Sequence, residues 1–170
     1  MALIHEQLYQ STDLSRIDFS GYIKSLTSHL ARSYVTSPNI DIQLDIEDIS
    51  LDLDMAMPCG LIINELTSNS LKYAFSEGHA GTISITLKQA GNAYRLTIAD
   101  NGKGMPPDND YRDTTSLGLQ LVNVLVGQLE GVIELDASAG TSFTITFGVQ
   151  QVENDAEKIP PGLEPGEVGK

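Results

Sequence analysis

The sequence predicts an α+β domain, a sheet covered on one face by helices. Two segments carry apolar residues at a helical period of three to four, as does the start of a third. Other segments alternate apolar and polar residues at period two. The order along the chain is helix, strands, helix, hairpin, loop, helix, hairpin, which suits a two-layer packing.

The first nine residues, "MALIHEQLY", could form two turns of helix, too short to stand alone. "STDLSRID" is a polar connector. Residues 19–34 place Phe19, Tyr22, Ile23, Leu26, Leu30 and Tyr34 on one helical face, and Ser37-Pro38-Asn39 ends the pattern. "IDIQLDIEDISLDL" (40–53) alternates and reads as a strand or hairpin. A long helix is expected from about Asp54 to Phe75, then a turn in "SEGHAG". "TISITLKQ" and "AYRLTIAD" form a hairpin across "AGN". "NGKGMPPDNDYRDTTS" is a loop of 16 residues, a length usually tied to function or mobility. Residues 117–129 are helical and Gly131 follows. "VIELDASAGTSFTITFGV" supplies two last strands, turning at Ser138-Ala139-Gly140. From Gln151 onward Pro160, Pro161 and Pro165 sit among Gly and Glu, so a disordered acidic tail is expected over 151–170.

The chain has 170 residues, suiting one domain with appendages, and 41% are hydrophobic, enough for a core. The net charge of −13 argues against a nucleic-acid surface and against anionic membranes. It does not exclude a phosphate ligand, which metal ions and helix ends can hold. No apolar run is long enough to span a membrane, and no signal peptide is evident. Cys59 is alone, which excludes an internal disulfide and points to a reduced, cytosolic thiol.

The long helix breaks its own pattern. Thr67-Ser68-Asn69-Ser70 is a run of poor helix formers in its interior. On a helical wheel Glu65, Asn69 and Lys72 share a narrow arc, with Tyr73 beside it. That stripe reads either as an ordinary solvated face or as a ligand site. A carboxylate and an amide oxygen suit Mg²⁺, and a lysine suits phosphate. "DNGKGMP" (100–106) follows a strand: Asp100 could accept from an exocyclic amine, and Gly102 and Gly104 allow close approach; the same letters also make a tight turn. "TTSLGLQLV" starts a helix that Thr114, Thr115 or Ser116 could cap, with Gly118 in its first turn; it is either a capped helix or an anion site. In "AGTSF", Thr141 could bond a ligand or the turn.

In order, N-E-L-x-x-N-x-x-K-Y, D-N-G-x-G, S-L-G-L-x-L-V and G-T-x-F resemble the ATP-binding domain shared by histidine kinases, DNA gyrase and heat-shock chaperone ATPases. The resemblance covers about residues 19–149. "PCGLIINELTSNSLKYAF" and "SLGLQLVNVLVGQLEG" look most like sensor histidine kinases with the variant dimerisation and phosphoacceptor domain. It implies a two-layer α/β sandwich with a mixed, mostly antiparallel sheet. It also implies a remnant of the dimerisation helix and a linker at 1–17 and a catalytic domain at 18–150.

The resemblance further implies ATP and Mg²⁺ as cofactors. Asn69 would coordinate the metal, with Glu65 close to metal and γ-phosphate and catalytic. Lys72 would meet phosphate and Tyr73 the adenine or ribose. Asp100 would accept from the adenine amine, Gly102 and Gly104 would shape the adenine pocket, and the backbone of Leu117, Gly118 and Leu119 would lie by the phosphates. Thr141 would reach adenine, and residues 105–116 would form a lid. The implied reaction moves the γ-phosphoryl group of ATP to a histidine on a dimerisation domain absent from this chain, with a response regulator downstream and a homodimeric intact protein. This domain itself would touch neither nucleic acid nor membrane and would be cytoplasmic.

The chain's histidines are His5, His29 and His79: His5 followed by Glu6 superficially resembles a phosphoacceptor followed by an acid, but "LIHEQLYQS" looks more like the far end of the second hairpin helix, and His29 on a helix and His79 in a turn read as structural or solvated. "TTSLGL" also lacks the doubled glycine of many relatives, so phosphate binding there would lean more on side chains. A gyrase-like ATPase, a regulatory serine kinase and a degenerate partner-binding domain share the same motifs and remain alternatives on sequence alone.

Overall fold

The computed structural model describes residues 17–33, 39–76, 79–105, 112 and 116–148. The short strand β1 (Ile17–Asp18) leads into helix α1 (Phe19–Ser33). Asp18 accepts from the Gly21 N–H at 2.9 Å, capping α1 at its first turn. Strand β2 (Ile40–Ile46) and the short β3 (Ser50–Leu51) precede helix α2 (Leu53–Asn69). A π-helical turn, Ser70–Ala74, continues α2 without a break. Strands β4 (Gly81–Ala90) and β5 (Ala93–Asp100), helix α3 (Leu117–Gln128), and strands β6 (Val132–Asp136) and β7 (Thr141–Gly148) complete the fold.

The main sheet has the order β2-β4-β5-β7-β6. All its pairings are antiparallel except β2 with β4, which is parallel. The expected two-layer, mixed and mostly antiparallel architecture is therefore present. Of the strand or hairpin expected over 40–53, the strand is present and the hairpin is not. β2 runs beside β4 through a crossover containing α2, while β3 pairs with β1 in a separate two-stranded sheet. Alternation in β2 shows which side chains face the core, but it says nothing of the partner.

One core lies between the sheet and the three helices. Ile85, Leu87, Leu96, Ile145, Ile62 and Ile63 are fully buried in it. Each such side chain contributes about 1.5–3 kcal/mol by leaving water. On β5 the core-facing positions are Tyr94, Leu96 and Ile98, and the next in that period is Asp100. The pleat thus aims a carboxylate at the helix layer, at the rim of the core.

Helix α2 starts at Leu53, one residue before Asp54 and within the expected start. Asp52 occupies the cap and accepts from the Met55 N–H at 2.9 Å. Pro58 lies inside the helix, buried. At the far end α3 closes with bonds from Glu130 N–H to the Gly127 carbonyl and from Gly131 N–H to the Val126 carbonyl. This is a Schellman motif whose left-handed residue is Glu130, at φ 50°, rather than the glycine after it. A β-carbon on Gly131 would stand 2.9 Å from the Thr146 carbonyl oxygen, so that glycine serves close packing on β7.

The expected N-terminal helix, His5, most of the lid and the acidic tail lie outside the described residues. Among the described residues no helix is long and apolar enough to cross a membrane.

Candidate nucleotide site

Four segments meet where α2, the end of β5, the start of β7 and the first turn of α3 come together. Ser70, at the junction of α2 and the π-turn, donates its hydroxyl to Asp100 Oδ2 at 2.7 Å. Asp100 Oδ1 accepts from the Gly102 N–H at 3.0 Å and from the Thr141 N–H at 3.3 Å. Asp100 and Thr141 also face each other in the β5–β7 register. The Lys103 N–H donates to the Ala74 carbonyl at 2.9 Å, fastening the glycine loop to the end of the π-turn. Gly102 lies so close that a β-carbon would collide with that same carbonyl.

Gly140 and Gly104 complete this side. Gly140 has φ 102°, and a β-carbon there would run into the Asp100 carbonyl. Gly104 has φ 76° and lies against the Gly140 carbonyl, where a β-carbon would be 3.2 Å from the oxygen. No ordinary side chain fits Gly140 in either respect.

The other side is built by α2 and α3. A β-carbon on Gly118 would be 2.9 Å from Glu65 Oε2 and 3.9 Å from Asn69 Nδ2. Glu65, Asn69 and Gly118 therefore share one small space. Asn64 donates its amide to Glu65 Oε1 at 3.1 Å, holding that carboxylate from the other side. Ser116 occupies the cap position of α3 but makes no side-chain capping bond to it; Thr114 and Thr115, the other expected caps, lie outside the described residues. The first-turn N–H groups of a helix have no partner within the helix and can meet a ligand.

The structure thus brings together Glu65, Asn69, Asp100, Gly102, Gly104, Gly118 and Thr141. It is the main-chain N–H of Thr141 that reaches Asp100. Leu117 is 80% exposed, while Leu119 is buried and anchors α3 to the core. Tyr73 is 63% exposed and Lys72 is exposed as well. The π-turn alters the helical phase after Asn69, so the wheel that grouped Lys72 tightly with Glu65 and Asn69 holds only up to that residue. The stripe is not a plain solvated face, because Glu65 and Asn69 are half-buried.

Of the polar run, Thr67 and Ser68 are buried. The hydroxyl that reaches the loop is that of Ser70, a role the sequence reading did not assign. Its signal was a hydroxyl where an apolar residue would fill a buried position. Gly140, read only as a turn residue, is likewise built into the site.

Cys59 lies on α2 about two turns before Glu65, buried in the core, and burial pushes its thiol up to about 12. Burial also pushes the Tyr22 phenol up to about 12. Hydrogen bonds from Ser138 hold the exposed Asp136 carboxyl below its usual value. A shallow cavity of about 590 Å³, lined by Arg95, Thr97, Asp136 and Thr144 among others, lies on the outer face of the sheet. Those residues alternate with the core-facing ones, so the cavity is separate from the Asp100 cluster.

A family model described as histidine kinase-, DNA gyrase B- and HSP90-like ATPase matches residues 56–151, and one described as histidine kinase matches residues 1–34. Blue-light-activated histidine kinase 2 of Erythrobacter litoralis is 30% identical over 129 residues, covering 75% of this chain and 35% of that protein. Sensor histidine kinase PdtaS of Mycobacterium tuberculosis is 29% identical over 143 residues, covering 82% of this chain and 27% of that protein. The chain thus spans roughly a third or less of these relatives' length. Among solved structures, the histidine kinase domain of the Erythrobacter litoralis EL346 blue-light activated kinase superposes with a TM-score of 0.77 at 21% identity, covering 86% of this chain and 70% of that one. The matched span runs from the second turn of α2 through β7 and so contains both halves of the cluster. With that match, this chain belongs to the family of histidine kinase-, DNA gyrase B- and HSP90-like ATPases, whose ATP-binding domain it carries.

Proposed function

We propose that this chain is the catalytic part of a cytoplasmic sensor histidine kinase and that its cleft holds Mg²⁺–ATP between Asn69 and Asp100. The observation that carries the reading is the convergence of Glu65, Asn69 and Gly118 with Asp100, Gly102 and Thr141, joined through Ser70. The donor set fits the ligands. Glu65 brings a carboxylate oxygen and Asn69 its side-chain amide to one space, and among the described residues no cluster of three or more His, Cys, Asp or Glu side chains could hold a metal alone. An ion held by one carboxylate, one amide and substrate phosphates suits Mg²⁺.

In this reading Asn69 and Glu65 hold the metal, which supplies neutralisation of phosphate charge when bound. Asp100 accepts a hydrogen bond from the adenine amine. The first-turn N–H groups of Leu117, Gly118 and Leu119 meet the phosphates. Lys72 adds positive charge at the rim and Tyr73 packs on base or ribose. Glu65 orients the acceptor imidazole as its nitrogen bonds to the γ-phosphorus and the bond to the ADP oxygen breaks. Residues 105–116 close as a lid. The acceptor histidine lies on a dimerisation hairpin of the intact homodimer, and a response regulator receives the phosphoryl group. The histidine kinase match over residues 1–34 supports that placement of the hairpin.

Two measurements test the proposal. Calorimetry should show Mg²⁺–ATP binding that Asn69→Asp weakens. Radiolabelled ATP with a supplied histidine-bearing hairpin domain should give an acid-labile label. Acid-stable label, or phosphate released to water, would overturn the kinase assignment.

A further inference from the structure

We infer that Ser70 is a positioning residue that sets purine selectivity through Asp100. The inference rests on the nucleotide reading above and adds a residue to it. Ser70 and Asp100 are both buried, at 8% and 6% exposure, and lie 30 residues apart in sequence. Their hydrogen bond of 2.7 Å joins the metal-side helix to the base-side loop.

The argument turns on lone pairs. A carboxylate offers about four acceptor positions, two on each oxygen. Two N–H groups, from Gly102 and Thr141, converge on Oδ1. The Ser70 hydroxyl takes one position on Oδ2. The position that remains for a ligand is on Oδ2, beside Ser70. The hydroxyl thus fixes the plane of the carboxylate and presents one acceptor, with no donor, to a base. A 6-amino purine can donate to it. A purine without that group gains nothing there, and a 6-oxo purine faces it with a lone pair.

Without the hydroxyl, Oδ2 would have two open positions in a buried cleft, and either water or rotation of the carboxylate would fill them. Both weaken the preference for the amine. The π-turn has a place in this account. It starts at Ser70 and ends at Ala74, whose carbonyl accepts from the Lys103 N–H. The extra residue in the turn lets two points of the helix meet two points of the loop.

The test is a two-by-two comparison in Mg²⁺ buffer, with wild type and Ser70→Ala each titrated by ATP and by purine riboside 5′-triphosphate, which lacks the amino group. Wild type should prefer ATP by about tenfold, and Ser70→Ala should cut that preference at least about threefold, within the range of one ordinary hydrogen bond. Affinity for the purine riboside triphosphate should change little. Ser70→Cys, similar in size with a weak donor, should fall between, and it carries the test if the alanine variant does not fold. Equal loss for both nucleotides, or an unchanged preference, would overturn the inference and leave nucleotide binding standing. Wild type binding neither nucleotide would overturn the nucleotide reading itself.

Discussion

A β-carbon on Gly118 would stand 2.9 Å from Oε2 of Glu65, so α3 approaches α2 at a position where it presents no side chain. The atom in the way is the tip of a flexible side chain, which can swing aside at little cost to the fold. Gly118→Ala should therefore leave stability unchanged or raise it by up to about 1 kcal/mol, since alanine suits a helix better. Mg²⁺–ATP affinity should fall about tenfold, because Glu65 leaves its place and each 1.4 kcal/mol is a factor of ten. Thermal melting and calorimetry on the same sample check both signs.

Glu65→Gln keeps the shape and an oxygen but loses the charge. It should bind ATP nearly as wild type does and slow phosphotransfer to a supplied histidine hairpin by about a hundredfold or more, the lower range for a lost acid–base group. Unchanged transfer would refute a catalytic Glu65.

Gly140 and Gly91 both have positive φ, at 102° and 64°, but their surroundings differ. A β-carbon at Gly91 meets nothing, whereas at Gly140 it meets the Asp100 backbone. Gly91→Ala should cost about 1 kcal/mol from backbone conformation alone, and Gly140→Ala clearly more. Gly140→Ala should also weaken ATP binding, and Gly91→Ala should not. Denaturant melts with a nucleotide titration distinguish the two.

Glu130 holds the left-handed position after α3 without being glycine. Glu130→Gly should stabilise the domain by about 0.5–1 kcal/mol, once the greater freedom of glycine in the unfolded chain is set against the relieved backbone. A lower melting temperature would contradict this account of the helix end.

Alkaline pH should destabilise the domain through Cys59 and Tyr22. Burial raises the thiol from 9.0 to about 12 and the phenol from 10.0 to about 12. The folded state holds both protons more tightly, so stability is intact below pH 9 and falls as pH rises toward 12. Cys59→Ala should flatten the decline between pH 9 and 10 in a melting series, leaving the later fall due to Tyr22.

Much of the fold was legible because it is local. The alternation in β4 and β5 and the apolar period of α1 name their own core faces, and those faces are the ones buried. Asp100 was legible as the last residue of a strand, and Glu65 and Asn69 as neighbours one turn apart. Lys72 was placed less well, since a wheel assumes one pitch and the helix changes pitch at Ser70. Residues 40–53 were legible only as a strand or a hairpin for a related reason: alternation fixes a strand's faces and leaves its partner open.

The sequence by itself determined the order of elements, the core residues and the family motifs, because periodicity and short motifs act within one turn or one pleat. Only the tertiary structure decided that β2 runs parallel to β4, that α2 ends in a π-turn, and that Ser70 meets Asp100. Those depend on contacts between residues distant in the chain, whose hydrogen bonds and packing outweigh local propensity once the sheet and helices enclose a common core.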